Sequence, residues 1–208
     1  SRGLGDVYKR QYLESSPIFS FLADRIFTPF YRNGVMFAWT TRAVEGLCSS
    51  DLRHYHSPGG LGGILYGLGS AIRQQVAVLV EGTADRWATG DSSIAILNKK
   101  LSSTSYSRLL TGLNGSPVQI LLVALDPQRS SDYAKRGKEH HIEEVSNQIR
   151  AGWPGLVLPC YLPITEDPAS LGGIQLARFF YEFLRQRGFE QAATLLARNV
   201  WDSTATRK

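Results

Sequence analysis

Cysteine is scarce in this chain: Cys48 and Cys160 are the two in 208 residues. They make no zinc-ligand spacing and no disulfide framework. Long apolar runs are missing too. No stretch is long enough to span a bilayer, and the first residues lack a signal-peptide pattern. A cytoplasmic protein is the expectation. Charge is not concentrated in either sign. Lys and Arg number 23 against 18 Asp and Glu, giving a net +5 and a pI near 9.3. The basic residues are scattered, apart from Lys135-Arg136-Gly137-Lys138. Such a balance suits a polyanionic partner and is equally common without one. Gly59-Gly60-Leu61-Gly62-Gly63 has no Gly-Lys-Ser/Thr after it, so it is a flexible loop and not a phosphate-binding P-loop. His140 and His141 are adjacent, and neighbours on a helix point in different directions, which argues against a joint metal site. An apolar content of 43% is adequate for a core. The length fits one domain, or one domain with a small extra lobe.

Three acidic landmarks at the ends of strand-like runs carry the most information. Glu81-Gly82 closes Val76–Val80, Asp126-Pro127 closes Ile120–Leu125, and Asp167-Pro168 follows Gly155–Leu162. Each run is apolar on both faces, as buried parallel strands are. Helix-like segments separate the runs. In open α/β sheets functional groups gather at the carboxyl ends of the strands. Carboxylates converging there would suit a divalent cation engaged in phosphoryl chemistry.

The coarse reading places a short helix over 13–24 and strands over 25–30 and 35–44. Asn33-Gly34 between two apolar alternations is a hairpin signal. A short helix is expected over 65–74. From Val76 a βα rhythm begins, with strands at 76–80, 93–97, 120–125 and 156–162. Helices are expected near 83–88, 104–113, 138–151, 173–187 and 190–200. In the 173–187 helix Leu176, Phe179, Phe180, Phe183 and Leu184 share one face, and Gly188 would terminate it. Asp6–Gln11 can be encoded by GATGTGTATAAGAGACAG, which resembles a transposon end used in sequencing adapters. Residues 1–11 are therefore expected to lie outside the native fold. Cys48–Leu52 admits a similar origin beside the reading of a polar loop.

Several of these residues together resemble the TOPRIM domain, a module shared by DNA primases, topoisomerases and some nucleases. The residues are Leu79-Val80-Glu81-Gly82 with Asp85, then Leu125-Asp126-Pro127, then Asp167-Pro168-Ala169-Ser170-Leu171-Gly172. Upstream, Arg25–Gly34 and Phe37–Arg42 resemble the segment that precedes TOPRIM in DnaG-type primases. His54-Tyr55-His56-Ser57-Pro58 and Leu65-Tyr66-Gly67-Leu68 resemble that family's K-Y-x-N-S-P and L-Y-G-L motifs. The resemblance covers roughly residues 19–172. It implies an α/β fold: a TOPRIM-like, mostly parallel sheet with flanking helices, preceded by a small α+β lobe. The expected divisions are 12–74 for the lobe, 75–188 for the TOPRIM domain and 189–208 for a last helix and tail.

The resemblance also implies a function. It is metal-dependent synthesis of RNA primers on a single-stranded DNA template, from ribonucleoside triphosphates, with Mg²⁺ or Mn²⁺ as cofactor and a replicative helicase as partner. Glu81 and Asp126 would be catalytic and hold the metal, with Asp85, Gln128 and Asp167 as further ligands. Arg42, His54, Tyr55 and Ser57 would contact nucleic acid or nucleotide. One departure stands out. The family's second landmark is Asp-x-Asp, and here it reads Asp126-Pro127-Gln128. The alternatives are a TOPRIM nuclease or topoisomerase fragment, and a degenerate module that binds nucleic acid without synthesis.

Overall fold

The structure, a computed structural model, describes residues 22, 24–44, 46, 47, 54–98, 100–125, 141–163 and 168–205. These residues form two compact units, one up to Leu61 and one from Gly62 onward. The expected 1–11 segment, most of the expected 13–24 helix, and Asp126, Gln128 and Asp167 lie outside the described residues.

The first unit is an antiparallel sheet in the order β1-β2-β3, comprising β1 (Arg25–Arg32), β2 (Val35–Ala43) and β3 (His54–His56). Asn33 and Gly34 connect β1 to β2 with φ of 51° and 78°. Two left-handed residues in a row are the type I′ signature whose twist matches the strands it joins. The register shifts at Phe30/Tyr31, so the end of the hairpin carries a bulge.

The second unit is a three-layer α/β arrangement. After α1 (Leu68–Ala71), it contains β4 (Val76–Val80), α2 (Thr83–Thr89), a 3₁₀ turn at Gly90–Ser92 and β5 (Ser93–Ala95). Then follow α3 (Ser103–Leu113), β6 (Ile120–Val123), α4 (His141–Arg150), β7 (Leu156–Pro159), α5 (Pro168–Arg185) and α6 (Glu190–Ala205). The sheet order is β5-β4-β6-β7 and every pairing is parallel. All five side chains of β4 are buried, because helices cover both faces of a parallel sheet.

Alternate residues feed two cores. Ala77, Leu79, Leu121 and Val123 pack against Leu109 and Leu113 of α3 and Ile142, Val145 and Ile149 of α4. Val76, Val78, Val80 and Leu122 pack against Leu176, Phe180 and Leu184 of α5 and Ala193, Leu196 and Val200 of α6. The helix signals are local. Ser102 Oγ accepts from the Ser105 N–H at 3.1 Å and caps α3. Gly188, with φ of 82°, closes α5: Phe189 N–H donates to Leu184 O and Gly188 N–H to Arg185 O, both at 3.0 Å. That pair of bonds is a Schellman motif.

Several boundaries differ from the sequence reading: β3 was not expected, the strand expected over 120–125 ends at Val123, and the last helix runs on to Ala205. The strands expected over 93–97 and 156–162 stop at Ala95 and Pro159. Leu97 adopts a φ of 56°, which no strand residue can hold. The helix expected at 173–187 begins at Pro168, with Gly172 (φ 72°, ψ 161°) breaking it into a first turn and a main body. Proline suits a first helical position because its missing N–H has no intrahelical partner there.

Candidate active site

The chain runs from β4 to β5 on one side of the sheet and then crosses to β6 on the other side. The connections therefore diverge at the carboxyl ends of β4 and β6, which is where open α/β sheets form their crevice. Glu81 follows β4 directly and is half-buried. Its backbone is held on the β5 side: Leu97 N–H donates to Glu81 O at 2.9 Å, and Ile96 N–H to Val80 O at 3.0 Å. On the β6 side Ala124 N–H donates to Leu79 O at 2.9 Å. These bonds continue both ladders past the end of the strand, so Glu81 is carried by a fixed backbone. Leu97, with its left-handed φ, is the residue that makes this connection. A branched side chain in that conformation stores strain and is held there by its surroundings.

Asp85 lies one turn on and is 5% exposed. Its Oδ2 accepts from the Gly82 N–H at 2.8 Å, at the start of α2. Its Oδ1 accepts from the Ala169 N–H at 3.3 Å, in the first turn of α5. One carboxylate thus serves the amino ends of two helices, where the unsatisfied N–H groups and the helix dipole favour negative charge.

Arg86, which no motif singles out, is buried next to Asp85 in the chain. Its guanidinium donates to the Gly90 carbonyl, to Ser70 Oγ at 3.0 Å and to Asp91 Oδ1 at 2.8 Å. It ties α2 to α1 and to the turn before β5. Gly67, at φ 89°, sits against it, and a Cβ there would run into Arg86 Nε and the Ser93 carbonyl. The motif Leu65–Leu68 therefore needs its glycine for two reasons at once. The available signal in the sequence was Gly67 and Gly90, whose tight turns require something to brace them.

In the first unit the register separates the residues proposed for nucleic acid. Thr40 pairs with His56, Thr41 with Tyr55 and Arg42 with His54. Successive strand residues point to opposite faces. Arg42 and His54 therefore share one face with Thr40 and His56, and Tyr55 lies on the other with Thr41. His54 and His56 rings are stacked 6.4 Å apart with nearly parallel planes, and His56 Nδ1 meets Thr40 Oγ1 at 2.9 Å. The Arg25 guanidinium lies 4.3 Å above the Tyr55 ring. Ser57 is buried and exchanges bonds with Trp39: its N–H donates to Trp39 O at 3.0 Å, and its Oγ accepts from the Trp39 N–H at 3.3 Å. It extends the β2–β3 ladder by one residue.

Among the described residues, no three His, Cys, Asp or Glu side chains are grouped to hold a metal ion. A magnesium ion needs one or two protein carboxylates and takes its other oxygens from water and substrate phosphates. Glu81, on its fixed backbone at the strand end, fits the role of such a carboxylate. No helix among the described residues is long and apolar enough to cross a membrane. Cys160 is fully buried in the α5–α6 core, and burial pushes its thiol well above the ordinary range. It behaves as a small apolar residue.

No family model and no curated protein matches this chain. Solved structures do. The RNA polymerase domain of the Mycobacterium tuberculosis primase DnaG superposes with a TM-score of 0.51 at 16% identity, covering 86% of this chain and 57% of that one. The same domain in complex with a double-stranded DNA oligomer bearing a 6-nucleotide overhang gives 0.50 at 15%, covering 86% and 55%. The chain thus spans a little over half the length of these structures. The likeness establishes a shared fold: a parallel α/β sheet with flanking helices, and a small antiparallel lobe.

Proposed function

We propose that this chain is the catalytic core of a primase of the TOPRIM class, which joins ribonucleotides on a single-stranded DNA template. The observation that carries the reading is the position of Glu81. It closes the central strand of a parallel sheet, next to β6, at the point where the chain changes direction across the sheet. The fold shared with primase RNA polymerase domains supports it.

In this reading Glu81 and Asp126 hold Mg²⁺ or Mn²⁺, with Asp85, Gln128 and Asp167 as the further oxygen donors that the sequence resemblance offers. When bound, the cation would offset the charge of the triphosphate and the charge that develops during transfer. The reaction forms a bond from a ribose hydroxyl oxygen to the α-phosphorus of the incoming nucleotide and releases pyrophosphate. Glu81 would hold the cation through its carboxylate, and the backbone bonds on both sides keep Glu81 in place. Arg42, His54, Tyr55 and Ser57 belong to the lobe that meets template or nucleotide. A replicative helicase is the proposed partner and the cytoplasm the proposed location.

The test is Glu81→Gln, which removes one charge at nearly constant shape. Metal-dependent primer synthesis should be abolished while the circular dichroism spectrum and template affinity stay unchanged. Synthesis equal to the parent at saturating Mg²⁺ would overturn the reading. A non-catalytic nucleic-acid-binding module would then take its place, a role that Gln128 favours because it withholds the second acid of the landmark.

A further inference from the structure

The antiparallel lobe has an unusual composition for a small sheet. Its three strands contain Arg25, Arg32, Arg42, His54 and His56 and no carboxylate at all. Aromatic side chains are interleaved with the arginines and left open. Phe27 is 39% exposed, Phe37 43% and Tyr31 63%. Phe27 and Trp39 are stacked, with centroids 5.6 Å apart and planes at 29°. Arg32 lies 4.6 Å above Phe37 at the hairpin end, as Arg25 lies above Tyr55.

The register decides which of these act together. Arg25 pairs with Ala43, Phe27 with Thr41, Pro29 with Trp39, and Thr41 with Tyr55. Arg25, Phe27, Trp39 and Tyr55 therefore occupy one face, opposite to Arg42 and His54. We infer that this face is a base-stacking platform for single-stranded nucleic acid, with the Phe27–Trp39 pair as its centre.

Three physical points favour that occupant. An offset ring pair with its outer ring open to solvent accepts a further ring in the same geometry. Stacking on such rings tolerates every base, because each has a π-face. Arg25 on this face suits a phosphate backbone, and the three strands themselves carry no carboxylate, although the exposed Asp24 immediately precedes them. A duplex buries its base faces in its own stack and cannot use the rings. The inference deepens the nucleic-acid partner of the proposed function, yet it rests on this lobe's surface and not on Glu81.

The test is binding of a short labelled oligothymidylate and oligouridylate to the chain without metal, with a duplex of equal length alongside. The parent should bind at least one single strand more tightly than the duplex, and its tryptophan fluorescence should be quenched. Trp39→Ala and Phe27→Leu should each weaken that binding about tenfold or more, the loss expected for one stacked base. Trp39→Phe should retain it within about threefold, because a ring remains, while losing most of the quenching. Phe27→Leu keeps apolar volume, so a folded variant is available even if Trp39→Ala fails to fold. The DNA and RNA arms name which strand is taken. Unchanged single-strand affinity in folded Phe27→Leu, or a duplex bound at least as tightly as both single strands, would overturn the inference. Neither result touches the Glu81→Gln synthesis test, so the two proposals fail separately.

Discussion

Asp85 and Ala169 are 84 positions apart and meet through one hydrogen bond, from the Ala169 N–H to Asp85 Oδ1 at 3.3 Å. The other oxygen holds the Gly82 N–H at 2.8 Å. The start of α5 is thus anchored to the helix that follows Glu81. Replacing Asp85 by Ala leaves both N–H groups without this acceptor in a buried place. It should cost about 1–3 kcal/mol, read as a fall in melting temperature of several degrees in a chain of this size. A melting temperature equal to that of the parent would show that other groups serve these helix ends.

Gly67→Ala should be at least as damaging. The added Cβ meets Arg86 and the Ser93 carbonyl, and φ of 89° is unfavourable for any L side chain. Strain of this kind costs roughly 1–3 kcal/mol before the clash is counted. The denaturant midpoint is the measurement, and Gly69→Ala, where a Cβ meets nothing within 4 Å, is the paired control.

His141 sets a pH dependence. It opens α4 at 4% exposure, and neither ring nitrogen has a hydrogen-bond partner among the described residues. Burial, aided by Lys100 and opposed by Glu144, holds its pKa below the ordinary 6.5. A base lowered in the folded state binds fewer protons folded than unfolded. Its contribution is complete above the unfolded value and is lost as pH falls below it. Urea midpoints at about pH 7.5 and about pH 5 should differ less in His141→Leu than in the parent. An equal difference in both proteins would assign the acid sensitivity to other groups.

Gln128→Asp restores the Asp-x-Asp landmark of the primase resemblance. It should strengthen Mg²⁺ binding, because a second carboxylate replaces a neutral oxygen. Calorimetric titration of Mg²⁺ checks this. Weaker binding in the variant would mean that residue 128 does not face the cation.

The parallel sheet was legible because its strands are apolar on both faces, a pattern that survives without knowledge of neighbours. The hairpin was legible because Asn33-Gly34 reports its own backbone conformation. Contacts across the chain were not. Nothing within Asp85-Arg86-Trp87 announces that the first residue reaches Ala169 or that the second reaches Ser70 and Asp91. The early start of α5 was hidden by Gly172, whose φ of 72° interrupts the helix where periodicity is sought. Tyr55 was grouped with Arg42 and His54 through the family resemblance, and because no strand was expected over 54–56 its place on the opposite face stayed hidden until the β2–β3 register was known.

The central place of β4 has a consequence for how the chain comes to be made. Its neighbour on one side, β5, is in hand 13 residues after the strand ends, counting from Val80 to Ser93. Its neighbour on the other side begins at Ile120. A nascent chain released before that point would present Val76–Val80, apolar on both faces, with one backbone edge unpaired. Such an edge recruits other strands. Fragments ending before Ile120 are therefore expected to aggregate during synthesis, and the cell's first view of this sheet is of a half-built surface that only later residues close.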